Sequence, residues 1–303
     1  MNNKPIIFPL FNYDELALGI QKNGHYELGS INQHQFPDGE TVFKIETEVT
    51  NRPVVFIASL DTPNPKIVPL LFAAETARAL GASQVILIAP YLAYMRQDKV
   101  FEQGQGITSQ YFAKLISHYF DGLITLDPHL HRWHSLNDVY EIPTEVLHAT
   151  KPIAHWIRTN IKQPLLIGPD EESMQWVNHI ADEAQAPFVI LEKNRKGDRS
   201  VDVSIPNLEL YSGKTPILID DIISTGMTMI EAVKQLHSLN LPPPVCIGVH
   251  AIFAGEAYQQ ILAAGVDKII TCNTVRHPSN AIDISNEIIQ SLKNIPWLDQ
   301  VIG

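Results

Sequence analysis

Cysteines and basic residues are scarce in this sequence, and each shortage excludes a class of protein. The chain of 303 residues has two cysteines, Cys246 and Cys272, in separate apolar segments without a partner at metal-ligand spacing. We therefore expect buried free thiols and exclude a disulfide-stapled miniprotein. Lysine and arginine number 22 against 33 acidic residues, a formal net charge of -11, which argues against general nucleic-acid binding.

Long hydrophobic runs are missing as well. No window approaches the roughly 18 uninterrupted apolar residues of a membrane-spanning helix. The N-terminus, MNNKPIIFPLFNYDE, lacks the charged region followed by a long apolar stretch that is typical of a secretory signal. The sequence therefore predicts a cytoplasmic protein without a membrane partner. Its composition, 45% apolar and 18% charged, is typical of a folded globular chain.

Short apolar runs alternate with helical patterns along the whole chain. Several runs are almost continuously apolar, which favours strands covered on both faces, as in a parallel sheet. The predicted strands are Pro5–Leu10, Pro53–Ser59, Val85–Ala89, Leu123–Leu126, Leu165–Ile167, Phe188–Leu191, Pro216–Ile219, Val245–Val249 and Lys268–Thr271. Apolar residues at helical spacing predict helices over Ile67–Leu80, Glu172–Ala184 and Thr228–Leu239.

This alternation predicts an α/β fold with mostly parallel sheets flanked by helices. It runs from residue 1 to about 145, pauses in a charged, proline-containing stretch at 141–151, and resumes to the C-terminus. A length of 303 residues fits two domains that each bury a core. We therefore predict two similar domains, residues 1–145 and residues 146–303.

The segment Ile217–Thr228 carries the most specific chemical signal. An apolar strand delivers two carboxylates, and a short turn of serine, threonine and glycine then begins a helix. Such carboxylates accept hydrogen bonds from adjacent sugar hydroxyls, while amides at a helix N-terminus hold a phosphate. The pattern favours a sugar-phosphate site over a solvated strand end with an ordinary helix cap. The candidate residues are Asp220, Asp221, Ser224, Thr225, Gly226, Met227 and Thr228.

This order of residues resembles the ribose-phosphate-binding motif shared by phosphoribosyltransferases and ribose-phosphate pyrophosphokinases. Phe36-Pro-Asp-Gly-Glu40, which also predicts a turn between strands, resembles the N-terminal nucleotide-contacting motif of the pyrophosphokinases. Pro90–Lys99 resembles their ATP-binding segment, and phosphoribosyltransferases lack both motifs. The resemblance covers nearly the whole chain and implies two phosphoribosyltransferase-type domains, the first contacting ATP and the second ribose phosphate. It assigns ATP contacts to Phe36, Asp38, Glu40, Arg96, Gln97 and Asp98.

A histidine-rich run lies at Asp127–His134. It contains three histidines and no cysteine, so the usual four-ligand pattern of structural zinc is not met. The resemblance assigns only His129 to a metal, as a ligand to the magnesium of MgATP. It also assigns Asp170 to magnesium, a hard cation that favours such carboxylates at a strand exit, although Asp170 could equally cap the next helix.

A basic stretch, Glu192–Ser200, contains four cations within seven positions and a glycine. It predicts either a mobile lid that closes over a triphosphate and stabilises developing charge, or a solvated hairpin loop. The resemblance assigns it to the catalytic flexible loop, with Lys193 and Arg195 as the catalytic residues.

The resemblance implies a ribose-phosphate diphosphokinase that uses Mg²⁺, ATP and ribose 5-phosphate. In this family the Phe36–Glu40 motif acts from a neighbouring subunit, so a homo-oligomer is expected. Two alternatives stay open, namely a phosphoribosyltransferase and a catalytically silent, synthase-associated regulatory subunit. Ser224-Thr-Gly-Met-Thr departs from the Asp-Thr-Ala-Gly-Thr of many members, which indicates a divergent, archaeal-type branch.

Overall fold

The chain forms two six-stranded sheets in a computed structural model, and every neighbouring pair of strands in each sheet is parallel. The structure describes residues 4–130, 132–169, 173–196, 200–204, 211 and 213–298, of which 192–196 and 200–204 are described by backbone alone. The predicted α/β class with two parallel sheets is confirmed.

The first sheet belongs to the N-terminal part of the chain. Its elements, including a separate hairpin of β3 and β4, are β1 (Ile6–Pro9), α1 (Asp14–Gly24), β2 (Glu27–Leu28), β3 (Ile31–Gln35), β4 (Thr41–Ile45), β5 (Pro53–Ile57), α2 (Pro63–Ala79), β6 (Gln84–Ala89), α3 (Thr108–Tyr119), β7 (Gly122–Leu126) and β8 (Thr144–Leu147). The strand order is β2-β1-β5-β6-β7-β8.

Burial explains why the central strands of this sheet are almost entirely apolar. Every residue of β6 and β7 is buried, as expected for strands covered on both faces. Helix α2 begins at Pro63, four residues before the predicted Ile67, because proline is favourable in the first turn, where its missing N–H has no intrahelical partner. Leu70 and Ala74 lie on the buried face of this helix and belong to the hydrophobic core.

The second sheet repeats the architecture. Its elements, including a hairpin of β11 and β12, are α4 (Thr150–Asn160), β9 (Pro164–Gly168), α5 (Met174–Ala184), β10 (Phe188–Ile190), β11 (Glu192–Lys196), β12 (Ser200–Ser204), β13 (Thr215–Ile223), α6 (Met227–Ser238), β14 (Val245–Ala251), α7 (Ala257–Ala263), β15 (Lys268–Cys272) and β16 (Asn280–Ile282). The strand order is β10-β9-β13-β14-β15-β16.

The C-terminal helix α8 (Ser285–Asn294) packs against α1 of the first unit. The chain divides into Met1–His148 with Ile284–Gly303, and Ala149–Asp283. The sequence-based boundary at 145/146 lies just before this division, whereas the predicted second domain included the C-terminal segment. Trp297 explains its position, because its ring covers Gly122 and its carbonyl accepts a hydrogen bond from Gln84 Nε2 at 3.1 Å.

Cys246 and Cys272 are both buried and free, as predicted from their apolar surroundings. Burial is the first cause that raises the pKa of the Cys246 thiol to about 12, and the nearby Asp220 carboxylate is the second. Among the helices of the described ranges, none combines the length and the hydropathy needed to cross a membrane.

Candidate active site

The acidic pair Asp220 and Asp221 lies within strand β13, which continues beyond the predicted end at Ile219 to Ile223. The extension exists because β14 pairs with it, with Asp220 opposite Gly248 and Ile222 opposite His250. Both carboxylates are half-buried near the carboxyl end of a central parallel strand. Ligands of open parallel sheets bind at this edge.

Backbone amides fix the orientation of both carboxylates. The Asp221 N–H donates to Asp220 Oδ1 at 3.0 Å, and the Ile222 N–H donates to Asp221 Oδ1 at 2.7 Å. Each carboxylate therefore has one oxygen set by the main chain of the strand. Two carboxylates held in this way are suited to accept hydrogen bonds from neighbouring hydroxyls of one sugar.

A tight turn joins β13 to α6. Gly226, the residue before the helix, has φ +73°, a left-handed conformation that glycine adopts without a Cβ penalty. A Cβ there would lie 2.8 Å from Cδ1 and 2.9 Å from Cγ1 of Ile261 on α7. The turn is thus packed closely against the neighbouring helix, while the side chains of Thr225, Met227 and Thr228 are exposed.

The segment after β14 also supports this turn. The N–H groups of Phe253 and Ala254 donate to the carbonyls of Ile223 and Ser224 at 2.9 and 3.0 Å. These bonds fix the backbone just before the candidate phosphate-binding amides. Phe253 and Ala254 follow the predicted strand Val245–Val249 and were not among the candidates, because main-chain contacts of this kind carry no residue signature.

A buried polar pair fastens the end of β14. The Thr274 hydroxyl donates to the Val249 carbonyl at 2.7 Å and lies 2.9 Å from His250 Nδ1. Because the hydroxyl proton points at the carbonyl, Nδ1 of the imidazole is assigned as the protonated donor to Thr274. His250 was not among the predicted residues, because it follows an apolar run without any motif of its own.

At the first sheet, the predicted ATP segment follows β6. Arg96 is exposed and Gln97 is half-buried, and Gln97 Nε2 donates to Gln105 Oε1 at 3.1 Å. The Asp98 side chain is only 2% exposed and its Oδ1 accepts a 2.8 Å hydrogen bond from Arg132 Nη1. Arg132 was not among the sequence-based candidates, since it stands 34 residues from its partner.

His129 follows the adjacent strand β7, so it shares the carboxyl edge of the sheet with the segment after β6. Nearby, Asp127 has φ +37° and its Oδ1 lies 2.8 Å from His148 Nδ1. This hydrogen bond is the first cause that raises the pKa of His148. Asp170, the other predicted magnesium ligand, lies outside the described residues.

The donor set decides which kind of metal site is compatible with this structure. Among the described residues, no three side chains of His, Cys, Asp or Glu gather as a metal cage. A Mg²⁺ that keeps several waters and is held by one or two side chains and substrate phosphates fits, because magnesium is bound in this way in many nucleotide sites.

The predicted nucleotide-contacting motif forms the exposed tip of the β3–β4 hairpin. The Phe36 N–H donates to the Glu40 carbonyl at 2.8 Å, and the Glu40 N–H donates to Asp38 Oδ1 at 3.1 Å. Phe36 is 44% exposed, and its ring stands nearly perpendicular to that of His34 at a centroid distance of 4.8 Å. The turn expected from Pro37 and Gly39 is therefore present and displays all three candidate side chains.

Lys193 and Arg195 lie in strand β11 of a hairpin. Their antiparallel partners in β12 are Val203 and Val201. Residues 197–199 lie outside the described residues, and β11 and β12 are described by backbone alone. The catalytic role of Lys193 and Arg195 therefore stays a prediction.

The carboxyl edge of the first sheet carries Arg96–Asp98 and His129, and that of the second carries Asp220–Thr228.

Comparison with known proteins gives the family. The chain is 32% identical to a ribose-phosphate pyrophosphokinase of Saccharolobus solfataricus over 266 residues, covering 85% of this chain and 89% of the relative. It is 30% identical to the enzyme of the same name from Methanopyrus kandleri over 272 residues, covering 89% and 92%. The chain belongs to the ribose-phosphate pyrophosphokinase family.

The two halves of this pyrophosphokinase family member match separate domain families. Residues 6–119 match the N-terminal domain of ribose phosphate pyrophosphokinase, and residues 135–298 match the phosphoribosyl transferase domain. The fold is similar to that of the phosphoribosylpyrophosphate synthetase of Mycobacterium smegmatis, with a TM-score of 0.82 at 21% identity over 96% of this chain and 98% of that chain. The resemblance found in the sequence motifs is confirmed at the level of family and fold.

Proposed function

We propose that this chain is a ribose-phosphate diphosphokinase. It transfers the β,γ-diphosphoryl group of MgATP to the C1 hydroxyl of ribose 5-phosphate and releases AMP and phosphoribosyl diphosphate. The observation that carries the proposal is the acidic pair of β13, oriented by backbone amides and followed by the Gly226 turn into α6. Membership of the pyrophosphokinase family supports ATP as the donor of the diphosphoryl group.

In the second unit, Asp220 and Asp221 accept hydrogen bonds from the ribose hydroxyls. The 5-phosphate lies against the N-terminus of α6, where backbone amides and the hydroxyls of Ser224, Thr225 and Thr228 donate to its oxygens. Met227 contributes its backbone amide, since its side chain is 64% exposed. These contacts orient the C1 hydroxyl, and positioning of this kind supplies much of the catalysis in phosphoryl-type transfer.

In the first unit, the segment Arg96–Asp98 serves the ATP. The bond from the C1 oxygen to the β-phosphorus forms as the bond from the β-phosphorus to the α,β-bridging oxygen breaks, and the hydroxyl proton leaves to solvent. Lys193 and Arg195 stabilise the charge that develops on the transferred group. A Mg²⁺ held by His129 and Asp170 would neutralise phosphate charge.

We further propose a homo-oligomer in which Phe36, Asp38 and Glu40 reach the ATP of a neighbouring subunit. The hairpin tip is exposed, and helices α2 and α3, which contact each other, carry exposed apolar side chains at Val68, Phe72, Tyr111 and Leu115. Apolar side chains exposed on two contacting helices mark an interaction site where they form one contiguous patch. Because ATP and phosphosugars are intracellular metabolites, the proposed compartment is the cytoplasm.

The first experiment incubates the purified protein with ribose 5-phosphate, ATP and Mg²⁺ and quantifies AMP, ADP and phosphoribosyl diphosphate. We expect AMP and phosphoribosyl diphosphate in equal amounts, lost in Lys193→Ala and without Mg²⁺. Formation of ADP would mean an ordinary kinase. Transfer from phosphoribosyl diphosphate to a nucleobase would mean a phosphoribosyltransferase, and binding without turnover would mean the silent subunit.

Subunit sharing is tested by complementation. A variant with Asp38→Ala and Glu40→Ala is mixed with Lys193→Ala after reversible dissociation. In an equal mixture about half of the dimers are mixed, and each mixed dimer has one of its two sites with both an intact hairpin and an intact β11. About a quarter of wild-type activity should therefore return. Mixtures that stay inactive, although mixed oligomers form, contradict the shared site.

A further inference from the structure

Four side chains form a charged cluster beside the predicted ATP segment, which we call the Arg132 cluster. It consists of Asp98, Lys99, Phe101 and Arg132, all in the loops that follow β6 and β7. Because these strands are neighbours in a parallel sheet, both loops lie at its carboxyl edge. The family resemblance assigns Asp98 to a contact with ATP.

The buried carboxylate of Asp98 requires a partner. Its side chain is 2% exposed, and an unpaired charge at such a position is strongly unfavourable. Arg132 provides the compensation through a 2.8 Å bond from Nη1 to Oδ1. With its oxygen engaged there and its side chain withdrawn from solvent, Asp98 is suited to holding the guanidinium rather than contacting a ligand itself.

The Arg132 guanidinium is half-exposed, and only its Nη1 donates a hydrogen bond within the part of the chain that the structure describes. Its side chain is 48% exposed and forms no second ion pair with the described residues. Its central carbon lies 5.7 Å from the centroid of the Phe101 ring, which is itself 52% exposed. A carboxylate on one side and a ring beside it limit the orientations of the guanidinium, so its remaining N–H groups are preorganised donors.

A second cation shares the same ring. Lys99 Nζ lies 4.9 Å from the Phe101 centroid, and Arg96 is exposed earlier in the same loop. Lys99 and Arg132 place two cations beside one ring against the single carboxylate of Asp98, so these three side chains carry one net positive charge. In a chain with net charge -11, such a local concentration of positive charge favours a polyanion of small size.

We propose that Arg132 binds the polyphosphate chain of ATP and that Asp98 is its positioning residue. This inference rests on the proposed function, since it takes ATP as the ligand of this sheet edge. It adds a phosphate-binding residue and gives Asp98 a different role from direct contact with the nucleotide.

The test compares Arg132→Gln with a matched control, Arg78→Gln. Arg78 forms an ion pair of nearly the same length, 2.9 Å, with Asp121, which directly precedes β7 at the opposite edge of the sheet. Loss of a charge-assisted hydrogen bond to phosphate is expected to raise the KM for ATP about 10- to 100-fold in Arg132→Gln. The KM for ribose 5-phosphate stays within about twofold, and Arg78→Gln leaves both KM values unchanged.

The role of Asp98 is tested with Asp98→Asn alone and combined with Arg132→Gln. Asp98→Asn keeps the cation but loosens its orientation, so a smaller rise in the KM for ATP of about 3- to 10-fold is expected. The double variant should be no worse than Arg132→Gln, because Asp98 acts through Arg132. Arg132→Lys restores part of the affinity, since the charge returns without the planar fork.

Calorimetric titration with MgATP, inorganic tripolyphosphate and adenosine separates phosphate contact from general damage. Arg132→Gln should weaken binding of MgATP and tripolyphosphate and leave adenosine unaffected. Unchanged tripolyphosphate binding, or equal losses in Arg132→Gln and Arg78→Gln, would overturn the inference even if the wild type makes phosphoribosyl diphosphate. If the wild type shows the expected binding pattern but makes no product, the proposed function fails and the inference about Arg132 stands.

Discussion

Replacing Gly226 with alanine tests whether the turn before α6 binds the phosphate of the sugar. The left-handed backbone at φ +73° costs a residue with a Cβ about 1–2 kcal/mol. The new methyl group would also lie 2.8 and 2.9 Å from two carbons of Ile261, an overlap that costs a further 1–3 kcal/mol or so when a packed neighbour must move. Gly226→Ala should therefore lower the free energy of unfolding by roughly 2–5 kcal/mol.

Gly213→Ala is the matched control. Gly213 has a similar φ of +78°, but among the described residues the nearest atom to its Cβ would be Gln163 Oε1 at an ordinary 3.8 Å. It carries only the conformational cost, about 1–2 kcal/mol. The difference between the two variants in urea unfolding isolates the overlap with α7.

Activity should separate the two variants further. Relief of the overlap displaces the amides of the turn, and displacements of this order cost about 10-fold or more in kcat/KM for ribose 5-phosphate. The KM for ATP should change little, and adding Ile261→Ala should recover part of the loss by removing both overlapping carbons. If Gly226→Ala matches Gly213→Ala in unfolding and in kcat/KM for ribose 5-phosphate, the turn is not the tightly packed phosphate site argued for above.

Three further predictions concern stability and reactivity. The raised pKa of His148 beside Asp127 means that the pair stabilises the folded state most at pH values below the usual histidine pKa, and that this contribution disappears as pH rises through the folded value. His148→Gln should thus lower the free energy of unfolding at pH 5.5 by up to about 1 kcal/mol, a small value because the histidine is exposed. The loss should be smaller at pH 8.5, and equal losses at both pH values would contradict this pairing. Cys246, with its pKa raised to about 12 by burial, should resist thiol reagents at pH 8 until urea unfolds the protein; fast labelling of the native protein, located by mass spectrometry, would refute its burial. Trp297→Ala should lower the free energy of unfolding by about 2–4 kcal/mol through the gap left over Gly122, and an unchanged urea midpoint would show that the C-terminal segment does not pack there.

Family and function were accessible from local patterns. Strands β6, β7 and β14 could be predicted because strands buried on both faces are mostly apolar. The acidic pair and Gly226 remain predicted site residues, chosen because a sugar-phosphate site needs carboxylates, hydroxyls and a close backbone in a fixed short order. Each of these requirements is met within one segment of the chain.

Tertiary structure alone decided the features that join distant segments. Strand β13 extends through Asp221 because β14 offers hydrogen-bonding partners there, although aspartate by itself disfavours a strand. The C-terminal helix returns to the first unit because Trp297 covers Gly122, a contact that no local pattern announces.

Asp98 and Arg132 show the same limit at the site. The sequence around Asp98 and Arg96 does not distinguish which of the two charged side chains is buried. The fold buries Asp98 and pairs it with Arg132 in the loop after the next strand, while Arg96 is exposed. Residue type and spacing specify chemistry that one segment can supply, because period and turn geometry are local properties. Burial and pairing across strands are set by packing. Local sequence patterns therefore predict which chemical groups are present, whereas the fold sets which of them are buried, paired or exposed.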